Sequence, residues 1–566
     1  MVSFFPMDRK MKPVIPSTVC ELLELRLQLS PTATACISHS QNGECPKLTW
    51  QDFTAQVLRF SLGFQSLVTK PGEVAAILLT SSVTYELVSH ALMRLGGVVV
   101  GLDCQATPQD MISVLHRCAA TLLVTDATFF EQFGDSVASS VKSVVLVDAV
   151  RSPTASKLPN SVFYLHELSH PSKTVSSIEK SVPRPNDIAT IIFTSGTTGE
   201  PKGIPFRHEQ IMAACGALCA AYPELGEEDS TICWLPLSAL FQRMVNLVSM
   251  ACGMTTHFIE DPRQILKSIG EIQPTFLVGV PRLFEKLRDA LRETRNTELR
   301  TCARRTKYMI SGSAPLPSSL LAELRTFGIL VLEAYGQSEN AIPIAVNRAT
   351  DYRFGSVGKP LPPNQTRLAD DGEVEVRGIG LFSHYLGQER ASNLTSDDYY
   401  QTGDLGVFDQ DGFLYLTGRK RDLIKTSTGR RIGPSRIEAA YSCCRSIDQI
   451  VVIGDGQKYL AALVTLKSSA RPVGGDTPNL THEELLAEVR SVDECLSEHE
   501  RVQAFGILGR PFQADEVTSS QKLKRNVIVR NYAAFIARLY EAETPCVLQA
   551  RADELLKTTE GRLGLE

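Results

Sequence analysis

Apolar residues recur along this chain at two different spacings. Around Cys20–Leu25 and again over Trp50–Phe64 they return every three to four positions, which predicts two helices with a strand between them. From Lys70 the pattern becomes short apolar runs separated by amphipathic stretches. The runs Val74–Leu79, Val98–Leu102 and Thr121–Thr125 predict strands, and Val83–Leu95 and Asp110–Ala119 predict the helices between them. Strands alternating with helices predict a parallel, doubly wound sheet, an α/β fold. Residues 150–185 are rich in Ser, Pro and Lys and predict a linker. Ala189–Phe193 predicts a buried strand and His208–Ala221 a helix. Residues 355–418 predict short strands and turns. Beyond them, Ile437–Cys444 predicts a helix, Ile450–Ile453 and Tyr459–Leu466 a hairpin around Gly454–Gly456, and Val527–Tyr540 a last helix.

Length and charge narrow the classes. A chain of 566 residues is too long for one core, so two or more domains are expected. With 43% hydrophobic and 21% charged residues it is an ordinary globular chain, and a net charge of −5 argues against a duplex nucleic-acid partner. Fourteen cysteines are scattered without any Cys-x-x-Cys, which suits a reducing compartment and carries no zinc signature. Met1–Lys10 has a proline and charges where a signal peptide needs its apolar core. No apolar run approaches the ~18 residues of a transmembrane segment. The expectation is a soluble, cytoplasmic protein, with peripheral membrane contact left open.

Candidate chemistry starts at Thr194–Gly203. A strand-like run ends here in hydroxyls, three glycines and a Pro-Lys-Gly, which predicts an irregular loop. Small residues such as Gly196 and Gly199 let backbone N–H groups converge on an anion. Thr194, Ser195, Thr197 and Thr198 add hydroxyl donors, and Lys202 adds a point charge. A Walker loop is excluded, because no Gly-Lys-Ser/Thr follows at the required spacing.

This stretch resembles the phosphate loop of the adenylate-forming superfamily, which holds acyl-CoA synthetases, luciferases and peptide-synthetase adenylation domains. Further motifs follow in that family's order over essentially the whole chain. Trp234–Arg243 is similar to the Leu-Pro-Leu-x-His-x-x-x-Arg stretch of long-chain acyl-CoA synthetases, with Ala239 in place of the acyl-pocket histidine. No Asp stands there to pair with a substrate ammonium, so a simple carboxylic acid is expected. Pro274–Lys286 also resembles the long-chain branch, although a plain strand-to-helix junction accounts for it equally well. Ser311–Pro315 and Glu333–Asn340 each follow a strand-like run, and such loops bind ligands in parallel sheets. The resemblance implies nucleotide contacts at Gly312, Ser313 and Ala314, adenine stacking on Tyr335, close approach at Gly336, Ser338 where the family often has Thr, and Mg²⁺ on Glu339. It likewise implies that Asp404 and Arg419 hold the ribose and that Lys420–Asp422 is a hinge. Thr426–Pro434 is similar to the family's Gly-Gly-Glu-Asn loop but has Thr428 for the first glycine and Arg430 and Arg431 for Glu-Asn. Glu516–Arg525 resembles the segment whose lysine is catalytic, which is Lys522 by spacing, with Lys524 close by.

The resemblance thus implies a large domain over 1–420, its barrel part at about 350–418, and a small mobile α+β domain over 421–566. It implies a fatty acid–CoA ligase using ATP, Mg²⁺ and CoA, with Lys522 and Glu339 as catalytic residues. Two alternatives stay open. One is an acyl-AMP ligase that loads an acyl carrier protein, although the fourteen residues between Asn340 and Gly355 leave no room there for the insertion those ligases carry. The other is a non-catalytic acyl or nucleotide sensor.

Overall fold

The computed structural model describes residues 14–39, 45–148, 161–168, 182–195, 201–293, 297–391, 393–467, 481–513, 515–517, 523–542 and 546–550. A seven-stranded sheet has the spatial order Ser161–Tyr164, Ser143–Leu146, Leu122–Thr125, Val74–Leu78, Val98–Gly101, Ile188–Ser195, Pro201–Arg207. All neighbours are parallel except the last pair. Its inner strands Val98–Gly101 and Leu122–Thr125 are buried at every position, as expected where helices cover both faces.

A nine-stranded sheet runs Lys359–Pro360, Ala345–Val346, Val331–Tyr335, Tyr308–Ser311, Phe276–Gly279, Ser230–Cys233, Thr255–Ile259, Thr34–His39, Lys47–Thr49. The helices Trp50–Phe64, Val83–Arg94, His208–Ala221 and Leu240–Cys252 share one continuous apolar core with both sheets. Local signals start and stop these helices. Thr49 and Asp52 close a reciprocal cap on Trp50–Phe64, and Gly253 ends Leu240–Cys252 in the left-handed region at φ +77°.

Four expectations change. The 150–185 stretch is not linker throughout, because Ser161–Tyr164 forms the outer strand of the first sheet and Leu165–Leu168 a short helix. Val162, Phe163 and Tyr164 supply the apolar pattern that the surrounding Ser and Pro concealed. Pro201–Gly203 is strand rather than loop, pairing Thr194 with Lys202 and Ser195 with Pro201. A proline is tolerated there because this strand is the sheet's edge. The expected barrel is a four-stranded antiparallel sheet, Gln365–Leu368, Glu373–Arg377, Tyr400–Phe408 and Leu414–Arg419, paired in open order. Four strands are too few to enclose an interior, and Val374, Val376, Tyr400 and Leu414 join the main core instead. The last helix divides into Arg525–Asn531 and Ala533–Glu541 at Tyr532, whose 1%-exposed ring sits under Arg510.

From Ile424 onward the apolar side chains bury in two clusters of their own. Ile447–Ile453, Leu460–Leu466, Val502–Leu508 and Cys546–Gln549 form a sheet there in that order, with Pro434–Tyr441 and His482–Asp493 among the helices that accompany it.

Candidate active site

The parallel strand Val331–Tyr335 ends at the tyrosine, and the turn 336–339 carries the chain away from the sheet. Tyr335 is 7% exposed, and its hydroxyl donates to Asp404 Oδ2 at 2.7 Å. Gln337 Nε2 donates to the same oxygen at 2.5 Å and to Thr402 O at 2.9 Å. Arg419 Nε lies 3.0 Å from the other oxygen, Oδ1, because Asp404 and Arg419 are register partners on adjacent strands. A carboxylate this deeply buried needs such donors for its oxygens. Burial, then the Asp404 charge, pushes the Tyr335 phenol well up, so it remains a donor. Asp404 follows Gly403, whose φ of +73° makes the turn, and Gly403 N donates to Glu373 Oε1 at 2.8 Å. Asp404 and Tyr335, singled out separately in the sequence, are therefore one hydrogen-bonded centre with Arg419, and Gln337 completes it.

A second group lies at the far end of the same turn. Glu339 Oε1 accepts from the Tyr385 hydroxyl at 2.9 Å, and Lys202 Nζ sits over the Tyr385 ring, 5.1 Å from its centroid. Tyr385 thereby brings together the lysine beside the anion loop and the glutamate assigned to metal. Burial, then the Glu339 charge, pushes its phenol up, so it donates and Glu339 accepts. Two backbone bonds hold its segment: Phe382 N donates to Glu339 O and Leu386 N to Gly203 O, both at 2.8 Å. Of the anion loop, Thr194 and the backbone of Ser195 end the inner strand. Gly196, Thr197, Thr198 and Gly199 lie outside the described residues.

The Ser311–Pro315 loop follows the neighbouring strand. Ser313 takes a φ of +74°, and Ser313 and Ala314 are exposed. A Cβ on Gly312 would stand 3.3 Å from Cζ of Phe241, so this aromatic ring borders the loop. Beneath it Glu333 is 6% exposed, accepts from Leu316 N at 3.1 Å, and has its second oxygen, Oε2, buried without a partner. Burial pushes its carboxyl up to about 7.

Ala239, which stands where the resembling motif has histidine, precedes the helix Leu240–Cys252 and is exposed. Arg430 and Arg431 are exposed near the tip of a two-stranded ribbon in which Lys425 pairs with Arg431. That ribbon lies against the strand leading to Arg419, because a Cβ on Gly433 would stand 2.2 Å from Thr417 O. Lys522 lies outside the described residues; close by, exposed Lys524 donates its backbone N–H to Glu516 O, and Arg525 pairs with Glu438 at 2.6 Å.

Sequence reading did not assign Gln337, Tyr385, Glu333 or Phe241. Gln337 and Glu333 lie inside the quoted motif, so proximity to Tyr335 was the available signal. Tyr385 meets its partners only through tertiary contact and left no local signal.

Residues 23–386 match the family model of the AMP-binding enzyme, and residues 421–544 that of the AMP-binding enzyme C-terminal domain. The chain is 28% identical to the long-chain-fatty-acid–CoA ligase FadD15 of Mycobacterium bovis, over 87% of this chain and 93% of that one. Among solved structures it is similar in fold to O-succinylbenzoate coenzyme A synthetase of Bacillus subtilis in complex with ATP and magnesium, with a TM-score of 0.72 and 24% identity over 89% of this chain and 98% of the other. The adenylation domain of a carboxylate reductase from Mycobacterium chelonae gives a TM-score of 0.79 at 19% identity, over 93% and 91% of the two chains.

Proposed function

The chain belongs to the family of AMP-binding enzymes, and from that premise we propose that it activates a fatty acid with ATP and transfers the acyl group to CoA. The observation that carries this reading is the turn 335–339, which joins the Asp404 centre to the Lys202–Tyr385–Glu339 group. The long-chain fatty-acid ligases among its relatives support the choice of acid.

The first step brings a carboxylate oxygen to the α-phosphorus of ATP, forming a C(O)O–P bond as the bond to pyrophosphate breaks. Repulsion between the two anions is the barrier, so positioning and charge neutralisation are the protein's work. Asp404 and Arg419 take the ribose hydroxyls, and Tyr335, Gly336 and the Gly312–Ala314 loop border the adenine. Lys202, with the Thr194–Gly199 loop, holds the β- and γ-phosphates. Mg²⁺ fits Glu339, with Ser338 alongside, because this ion takes one or two carboxylates and fills its other positions with phosphate oxygens and water. When bound it would offset phosphate charge; Tyr385 holds Oε1 of Glu339. Lys522 is assigned to the reacting carboxylate and α-phosphate.

In the second step the CoA sulfur attacks the acyl carbon, the C–O bond to AMP breaks, and the thiol proton leaves to solvent. Arg430 and Arg431 are assigned to the phosphates of CoA, which they would meet once the part of the chain after the Lys420–Asp422 hinge has turned. The Cys219 and Cys252 sulfurs lie 3.8 Å apart as thiols rather than as a disulfide, which supports a cytoplasmic location. Among the described residues no helix is long and apolar enough to cross a membrane.

The test is ATP–pyrophosphate exchange across acids of graded length, followed by AMP release with CoA or acyl carrier protein as acceptor. Exchange that requires a fatty acid, and thioester formed with CoA, is the expected result. Exchange with no acid tested would leave the sensor reading standing, and transfer to the carrier alone would replace CoA as acceptor.

A further inference from the structure

Arg243 is a buried cation whose contacts converge on two of the loops described above. It lies in the first turns of the helix Leu240–Cys252 and is 8% exposed. A guanidinium so placed must find acceptors for its donors or destabilise the fold. It finds them on three separate segments. Nε donates to Leu237 O at 2.6 Å, Nη1 to Thr190 Oγ1 at 2.5 Å, and Nη2 to the Tyr85 hydroxyl at 2.7 Å.

These partners are themselves fixed. Thr190 Oγ1 donates to Val99 O at 2.6 Å, which turns its lone pairs toward Arg243. Tyr85, 1% exposed, donates to Leu237 O at 3.2 Å, the oxygen that Arg243 Nε also takes. The loop Leu235–Ala239 is pinned along its length as well. Ser81 Oγ accepts from Leu237 N at 3.0 Å and donates to Leu235 O at 2.9 Å, and Gln242 Oε1 accepts from Leu235 N at 3.1 Å. A Cβ on Gly101 would stand 2.5 Å from Cα of Ser238, so the loop backbone presses directly onto the strand Val98–Gly101. On the same helix as Arg243, Asn246 Nδ2 donates to Glu86 Oε1 at 2.6 Å.

The two ends of this network matter to the reaction. Leu237 is two residues before Ala239, on the acid side. Thr190 is four residues before Thr194, on the strand that enters the anion loop and pairs with Lys202. We infer that Arg243 is a positioning residue that sets the spacing between the acid-side loop and the phosphate-binding strand. It touches neither substrate. The inference rests on the fatty-acid activation proposed above, in which an acid and a phosphate held by these two segments must meet. A misplacement of about 1 Å in such an arrangement costs roughly 10²-fold in rate.

Arg243→Lys risks leaving the interior unsatisfied, so the decisive variants lie at its partners. Thr190→Val removes one acceptor and keeps the shape, Tyr85→Phe removes another, and Thr190→Ser restores the first. Two readouts are needed: ATP–pyrophosphate exchange with a long-chain acid, and dissociation constants for AMP and for an unreactive palmitoyl-sulfamoyl adenosine. The second ligand spans the nucleotide site and the acid side, whereas AMP leaves the acid side empty. Thr190→Val and Tyr85→Phe are expected to lower the exchange kcat by about 10- to 10²-fold and weaken the spanning ligand about tenfold. Their affinity for AMP should stay within about twofold, and Thr190→Ser should behave as wild type. Unchanged rates and affinities, or equal loss for AMP and the spanning ligand, would reduce Arg243 to support of the core. A wild-type protein without acid-dependent exchange would overturn the proposed function, whereas the ratio of the two affinities would still test the spacing; binding of neither ligand would overturn both.

Discussion

Asp404 shows what a single residue has to satisfy here. Its carboxylate is 5% exposed and takes Tyr335, Gln337 and Arg419 as donors. Arg419 is itself 45% exposed, so it can move toward a ligand while Tyr335 and Gln337 go on donating to the carboxylate. If Asp404 receives the ribose hydroxyls, wild type should discriminate ATP from 2′,3′-dideoxy-ATP, and Asp404→Asn should erase most of that difference. A hydrogen bond to a charged group is worth about 1.5–3 kcal/mol, roughly a 10- to 150-fold change in the ratio of Michaelis constants. Discrimination that survives the substitution would remove Asp404 from the ribose site. Glu333 is the opposite case, a buried carboxyl with one oxygen unpartnered and its titration pushed up to about 7 from an ordinary 4.5. Between those values the folded chain binds a proton that the unfolded chain has lost, so this group's contribution to stability falls as pH rises through that window. The loss is at most about 3.5 kcal/mol, near 1.4 for each unit of separation. Glu333→Gln cannot ionise, and its melting temperature relative to wild type should therefore climb from pH 5 to pH 8. A difference that stays flat would mean Glu333 ionises normally.

At the scale of elements, much of the first sheet was legible because its strands and helices are continuous apolar or amphipathic runs. Tyr335, Ser338 and Glu339 could be singled out together because they are close neighbours in sequence, and Tyr335 and Glu339 do flank one turn. What stayed hidden depends on pairing between distant segments. Pro201–Gly203 looked like loop by composition, but an edge position accommodates its proline. Tyr385 reaches Glu339 across 46 positions and Lys202 across a strand boundary, so no local pattern announced it. The 525–541 stretch has unbroken helical periodicity, and only the burial of Tyr532 shows where it divides. That segment bears on the two candidate lysines. Lys524 is exposed, its backbone N–H is taken by Glu516, and Arg525 beside it is held by Glu438. Lys522→Ala is therefore expected to cost adenylation roughly 10²–10³-fold, the loss typical of one preorganised transition-state donor. Thioester formation from supplied acyl-adenylate should suffer much less. A larger loss in Lys524→Ala, or equal losses in both half-reactions, would reverse the assignment.

For the whole molecule, the proposed two-step reaction would need the part of the chain after the Lys420–Asp422 hinge to be held and yet free to turn. Its apolar clusters are separate from the others, and its contacts across to the helices Pro281–Glu293 and Ser318–Thr326 are polar. Arg282 Nη2 reaches Asp448 Oδ1 at 2.5 Å, Lys467 lies 3.6 Å from Asp289, and the Ser319 hydroxyl is 3.1 Å from the Cys443 sulfur. Arg282 thus gives the Pro274–Lys286 stretch a role beyond joining a strand to a helix. Polar contacts of this kind can be exchanged for water at little cost, whereas an apolar interface would resist turning. Arg282 is 50% exposed, so its pair with Asp448 is worth only about 0.2–1 kcal/mol after screening. Such an energy shifts a two-orientation equilibrium by roughly 1.5- to 5-fold. If this contact favours one orientation, Arg282→Gln should slow the half-reaction which that orientation serves and quicken the other by a similar factor. Pyrophosphate exchange and thioester formation from supplied acyl-adenylate, measured separately, provide the two rates. High salt should move wild type toward the variant, because the pair is exposed enough to be screened. Rates that shift together, or a salt effect equally large in the variant, would show that the Arg282–Asp448 contact does not select between orientations.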